Sequence, residues 1–304
     1  MIQATAPGKL ILFGEHAVVY GRPGIAVPVL DVTAHARFIP GPDLVVHALD
    51  LGEVIKIKDE PEHPLSIAVK STSRYLKKDT PSGQIEIQSS IPLSSGLGSG
   101  TAVNVAVIKA MAMAMGEIIA PEHVSEIAYE IEKIHHGTPS GIDNTVIAYQ
   151  SPIFFTSGEC EVLSIASSFI LVIAVSGIRI PTSKTVLDVR HNWRRDTTKY
   201  ESLFDEIGHL SFVARRCMLD GDLIELGRLM LQNHHLLQEI GVSSSTLDRF
   251  VNVAVEHGAY GAKLTGAGRG GCVVALCQPS SIKALEQDFL EEGAERVIVS
   301  EINR

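Results

Sequence analysis

The chain has 304 residues, 45% of them hydrophobic, and a formal net charge of −9. That length and apolar content exclude a disordered chain and suffice for one large bilobal unit or two domains. The acidic balance leaves no broad footprint for nucleic acid or an anionic membrane, and favours a small ligand held by a few directed groups.

In chain order, short β-like runs at Ile2 to Thr5, Ile25 to Val29, Thr33 to Ile39, Leu44 to Ala48, Val54 to Ile57 and Ile85 to Ile87 predict a strand-rich first third. Helical periodicity follows at Pro64 to Lys77, Thr101 to Met115 and Pro121 to His135, so helices should cover one face of an antiparallel or mixed sheet. Ser151 and Pro152 open a further β region that ends in the apolar run Phe169 to Val175. Beyond Pro181 helices are expected near Thr182 to His191, Tyr200 to Asp220, Asp222 to Glu239 and Ser245 to His257. Two β-like runs, Gly271 to Cys277 and Arg296 to Ile302, then bracket a helix near Ser280 to Glu292. The fold class is α+β, with domains expected at 1–178 and 179–304. No apolar run approaches the roughly 18 residues of a membrane span, and the N-terminus lacks the layout of a signal peptide. A soluble, cytoplasmic protein is expected. Cys160, Cys217, Cys272 and Cys277 have no CxxC spacing and read as free, buried thiols.

The stretch Pro92, Leu93, Ser94, Ser95, Gly96, Leu97, Gly98, Ser99, Gly100, Thr101 lies between a strand pattern and a helix pattern. A helix start presents free N–H groups and the positive end of the helix dipole, and glycines let the main chain approach an anion closely. Phosphate is the expected occupant. A Walker A loop is excluded because no lysine follows Gly100, and a dinucleotide fold is disfavoured because the helix leads to Pro121 and another helix.

Three other segments carry polar groups at uncommon density. The run Ala6 to Gly21 holds Lys9, Glu15, His16 and Tyr20 among glycines; Lys9 reads as a phosphate-side cation, Glu15 and His16 as groups orienting a small polar substrate. In the helix ending near Gly137, Val124, Ile127, Ala128, Ile131 and Ile134 mark an apolar face from which Glu132 stands apart. Pro139 and Gly141 then bend the chain so that Asp143 returns toward Glu132, giving two carboxylates suited to a divalent cation and a hydroxyl proton. Adjacent His135 and His136 point different ways on a helix and are not expected to hold a metal. Leu264 to Cys272 contains Gly266, Ala267 and Gly268 in a second glycine turn that runs into a strand, so it is no dinucleotide motif. Its expected task is to bring backbone N–H groups over the same anion.

In this order, Pro7 to Gly21, Pro92 to Ala102 and Lys263 to Cys272 resemble the three motifs of the GHMP family of small-molecule kinases, and they span nearly the whole chain. Gly8 to Gly21 together with His136 to Asn144 is most similar to the branch that phosphorylates mevalonate. The homoserine and galactose branches share the phosphate loop but fit those two segments less well. The resemblance implies a ribosomal-S5-domain-2-like N-lobe, a ferredoxin-like C-lobe, ATP and Mg2+ as cofactors, a homodimer, and conversion of mevalonate to 5-phosphomevalonate. By the resemblance Asp143 is the catalytic aspartate and Lys9 the lysine near it. Glu132 is a magnesium ligand; Glu15, His16 and Thr182 lie at the substrate end, with Ser183 a near alternative for Thr182; the two glycine turns hold ATP. One departure stands out: the family's usual second serine is replaced by Gly100. Thr101, Ser99 or water then supplies the oxygen. Two alternatives stay open: a GHMP kinase for homoserine, shikimate, pantoate or a sugar, and an inactive nucleotide-binding regulator, which Gly100 would favour.

Overall fold

The computed structural model describes residues 2–136 and 139–304. Its first elements are β1 (Ile2–Phe13), β2 (Gly24–Pro40), β3 (Val45–Ala48), β4 (Glu53–Lys56), α1 (Pro64–Leu76) and β5 (Gly83–Ser89). Next come α2 (Ser99–Ala114), α3 (Pro121–His136), α4 (Ile142–Tyr149), β6 (Ile153–Thr156), β7 (Glu159–Val162) and β8 (Phe169–Val175). Then follow α5 (Thr182–Arg195), α6 (Thr197–Asp220), α7 (Leu223–Ile240), α8 (Ser245–Glu256), β9 (Gly261–Thr265), β10 (Cys272–Cys277), α9 (Ile282–Glu291) and β11 (Arg296–Ile302). The α+β class expected from the sequence holds.

Three local expectations change. β1 continues well past Thr5 to Phe13, because Leu10 to Phe13 are buried as a continuous apolar run, the pattern of a strand covered on both faces. The runs at Ile25 and Thr33 are one strand, β2. Asp143 sits in the first turn of the short helix α4 and not on a returning loop; eight residues are too few for periodicity to announce a helix.

The chain forms two compact units that interleave along the sequence. The first takes the residues up to Gly8, then Val32–Ile91 and Gly98–Gln150. In it β2 pairs antiparallel with β5, with Ala34 opposite Ser89, while β5 pairs parallel with β3 and β3 antiparallel with β4. The helix α2 is mainly apolar and packs among α1, α3, α4 and β5, burying Val105, Ile108 and Met111 while Met113 near its end stays exposed.

The second unit takes Lys9–Asp31, Pro92–Leu97 and Ser151–Arg304. Its antiparallel sheet has the order β11-β8-β10-β9, the strand order of a ferredoxin-like fold. Phe204, Phe250, Phe289 and Leu264 lie in the core on one face of this sheet. Helix starts are capped by Asp196, Asp222 and Ser244, whose side chains accept N–H groups of Lys199, Glu225 and Leu247, each worth about 1 kcal/mol. The helix α7 lies hard against β9: a Cβ on Gly261 would come 1.9 Å from the carbonyl oxygen of Gly227. That approach brings Asn233 and His234 into the interior. Among the described residues no helix is long and apolar enough to cross a membrane.

Candidate active site

In the second unit the loop from Pro92 is held by its own polar atoms. The Ser95 hydroxyl donates to the Pro92 carbonyl at 2.7 Å and accepts the Leu97 N–H at 3.4 Å. The Lys9 N–H donates to the Leu97 carbonyl at 2.9 Å, fastening the loop to β1, and the Lys9 side chain is buried. Gly98, with φ +77°, caps α2 without a side-chain hydrogen bond, so first-turn N–H groups stay available for an anion.

The second glycine turn meets this loop backbone to backbone within the same unit. The Thr265 hydroxyl donates to the Ile11 carbonyl at 2.9 Å and accepts the Ile11 N–H at 3.2 Å, so the end of β9 is fixed to β1. A Cβ on Gly266 would lie 3.5 Å from the Gly96 Cα, and one on Gly271 only 2.8 Å from the Ser95 carbonyl oxygen. Any side chain at Gly271 would push the loop aside. As expected, this turn leads into a strand, β10. Burial pushes the neighbouring Cys272 thiol up to about 12, which keeps it protonated and inert. A cavity of about 280 Å³ adjoins the loop, lined by Ser94, Ser95, Ile178, Gly271 and Arg296 among others.

The carboxylates of the first unit stand on packed helices. Glu132 on α3 is buried, whereas Ile134, expected on the apolar face, is 61% exposed. Glu132 accepts a 2.5 Å hydrogen bond from the Thr101 hydroxyl in the first turns of α2. Asp143 is partly buried on α4, which Asn144 ties to α3 by donating to the Ser125 carbonyl at 3.0 Å and hydroxyl at 2.8 Å. Gly137, Thr138 and the side chains of His135 and His136 lie outside the described residues. Among the described residues, no group of three or more His, Cys, Asp or Glu is placed to hold a metal.

At the expected substrate end, Glu15 is turned inward. Its carboxylate pairs with the ammonium of Lys263 and accepts from the Asn233 amide at 3.0 Å. Both Glu15 and Lys263 side chains are fully buried. Burial lowers the Lys263 pKa, and Glu15 opposes that shift. His16 has a positive φ, +61°, and its Nε2 lies 3.0 Å from the Ala267 carbonyl. A carbonyl only accepts, so Nε2 carries the proton. Burial pulls the His16 pKa down to about 4, against the raising effect of the Ala267 hydrogen bond and with a further lowering from Arg269. Thr182 and Ser183 are both exposed at the start of α5.

Sequence reasoning missed Lys263, Asn233 and Arg269 as members of this region. The signals were present: a lysine inside the otherwise uncharged strand Gly-Ala-Lys-Leu-Thr, and an arginine interrupting a run of glycines.

These features define a class. The model of the GHMP kinases N terminal domain matches residues 65–151, and that of the GHMP kinases C terminal domain matches 214–295. The mevalonate kinase of Pyrococcus horikoshii is 32% identical over 301 residues, covering 90% of this chain and 88% of the relative. The crystal structure of Methanococcus jannaschii mevalonate kinase superimposes with a TM-score of 0.86 at 25% identity, covering 99% and 98% of the two chains. That of L. major mevalonate kinase in complex with R-mevalonate gives 0.81 at 29% identity, covering 99% and 95%. The chain belongs to the mevalonate kinase family of GHMP kinases.

Proposed function

We propose that the chain transfers the γ-phosphoryl group of ATP to the C5 hydroxyl of mevalonate, giving 5-phosphomevalonate and ADP for isoprenoid biosynthesis. Kinship with the mevalonate kinases carries this reading. The ordered glycine turns and the contact between Thr101 and Glu132 support it.

The chain's groups divide the work of a phosphoryl transfer, in which positioning and electrostatics dominate. Backbone N–H groups of residues 92–101, with the turn at Gly266, Ala267 and Gly268, cradle the phosphates. Lys9 neutralises developing charge from a strand whose backbone is bonded to the loop. Asp143 orients the C5 hydroxyl and accepts its proton as the bond forms. His16 and Thr182 contact the substrate, while Glu15 acts from the interior by bracing the turn that carries His16.

Magnesium takes hard oxygen donors, and the hydrogen bond between Thr101 and the buried Glu132 gathers a hydroxyl and a carboxylate in one place. Glu132 and Thr101 are the residues that would hold Mg2+. When bound, it neutralises charge on the phosphoryl oxygens. In this reading Thr101 replaces the serine lost at Gly100.

We place the functional division at residues 178 and 179, with a family model matched on either side, and propose a cytoplasmic homodimer, which light scattering on the purified protein tests. A substrate panel of mevalonate, homoserine, shikimate, pantoate and galactose with coupled ADP detection tests the reaction. A clear preference for mevalonate is expected; a preference for another alcohol would replace the substrate, and no turnover on any would favour a nucleotide-binding regulator.

A further inference from the structure

We propose that Arg269 binds the carboxylate of the acceptor substrate and sets the preference for a hydroxy acid over an uncharged alcohol; the inference rests on the mevalonate reading above. Mevalonate brings a carboxylate that needs a cationic or strongly donating partner. Of the groups expected at the substrate end, Glu15, His16 and Thr182, none supplies a positive charge. Glu15 and Lys263 neutralise each other and are wholly buried, with the Lys263 ammonium also donating to the Leu264 carbonyl at 2.6 Å. His16 is uncharged near neutral pH, its Nε2 proton committed to the Ala267 carbonyl.

Arg269 stands two residues from Ala267 in the same turn. Its backbone is left-handed, φ +62°, and its N–H donates to the Val242 carbonyl at 2.6 Å. A glycine there would be unstrained, whereas a side chain costs about 1 kcal/mol. The guanidinium pairs with Asp188 on α5 through Nη1 and donates from Nε to the Gly241 carbonyl at 3.3 Å. Its Nη2 makes no hydrogen bond among the described residues, and the side chain is 32% exposed, open to a ligand. The partly exposed pair with Asp188 contributes at most about 1 kcal/mol, no more than the strain. Fastening the turn is therefore a weak reason for an arginine here. A planar fork with a remaining pair of donors suits a carboxylate.

The test compares Arg269→Gly, Arg269→Lys and Asp188→Asn with the parent chain. The substrate is mevalonate, and the competitor is the uncharged triol formed by reducing its carboxylate. Arg269→Gly is expected to raise KM for mevalonate about ten- to hundredfold, the loss of one hydrogen bond between charged groups, with kcat and KM for ATP within about threefold. Affinity for the triol stays the same, Arg269→Lys recovers part of the loss, and Asp188→Asn leaves KM for mevalonate unchanged or lower. An unchanged KM in Arg269→Gly overturns the proposal. So does an equal loss in Asp188→Asn, which would make the ion pair a fastening of the turn. Should Arg269→Gly not fold, Arg269→Lys and Asp188→Asn decide by the same criteria. If the parent chain itself does not phosphorylate mevalonate, the functional reading fails first and takes this inference with it.

Discussion

The hydroxyl of Thr101 donates a 2.5 Å hydrogen bond to the carboxylate of Glu132, and the position before Thr101 is glycine. A Cβ at Gly100 would meet no atom within 4 Å, so the missing serine was not expelled by crowding. Thr101→Ala should raise the Mg2+ concentration for half-maximal rate about tenfold, while Thr101→Ser keeps the hydroxyl and most of the affinity. The double variant Gly100→Ser with Thr101→Ala should regain part of the loss. A magnesium titration of initial rates checks this, and identical curves for all variants would remove Thr101 from the metal site.

Glu15 and Lys263 form a buried ion pair whose single breakage leaves an uncompensated charge. Glu15→Gln or Lys263→Met is expected to cost about 3–5 kcal/mol of stability. The double variant should cost clearly less than the sum, because no lone charge remains. Denaturant melts measure the coupling; strict additivity would mean that the pair is not formed.

The His16 pKa of about 4 in the fold, against 6.5 unfolded, fixes the sign of a pH effect. Well above pH 6.5 neither state is charged and the residue contributes no pH dependence. As pH falls from 6.5 toward 4 the unfolded chain gains a proton that the fold resists, so stability drops, by about 3 kcal/mol in all. Below pH 4 the penalty is constant. His16→Gln should flatten that limb in melts taken between pH 4 and 7; an unaltered limb would show that His16 is not buried uncharged.

Asp143 is carried by a helix that Asn144 fixes to α3, so its carboxylate is placed in advance. Asp143→Asn keeps the shape and removes the proton acceptor. Turnover should fall by about a thousandfold or more, with ATP affinity within about threefold. Stopped assays and nucleotide titration separate the two; near-normal turnover would take Asp143 out of the chemistry.

Much of this was legible in the sequence because glycine is read for its backbone. The turns at Gly96 and Gly266 announce close main-chain approach wherever the chain later folds, and both meet in the second unit. Most helices were visible from their period, whereas the cap at Asp196 starts α6 at Thr197, one turn ahead of the expected Tyr200. What remained hidden depends on pairing across long sequence separations. Glu15 reads as a substrate ligand until Lys263, 248 residues away, is seen to claim it. Glu132 and Ile134 exchange their expected exposures because packing against α2 and α4, and not helical periodicity alone, decides which face of α3 is covered. Arg269 lay inside a motif read for its glycines, so its side chain was passed over.

The most direct test of the proposed activity is to incubate the purified chain with ATP, Mg2+ and R-mevalonate, then quantify ADP and the acceptor product together by mass spectrometry and phosphorus NMR. One phosphomevalonate per ADP is predicted, with the phosphate on the C5 oxygen. ADP without phosphomevalonate, or no ADP above a protein-free control, would contradict it.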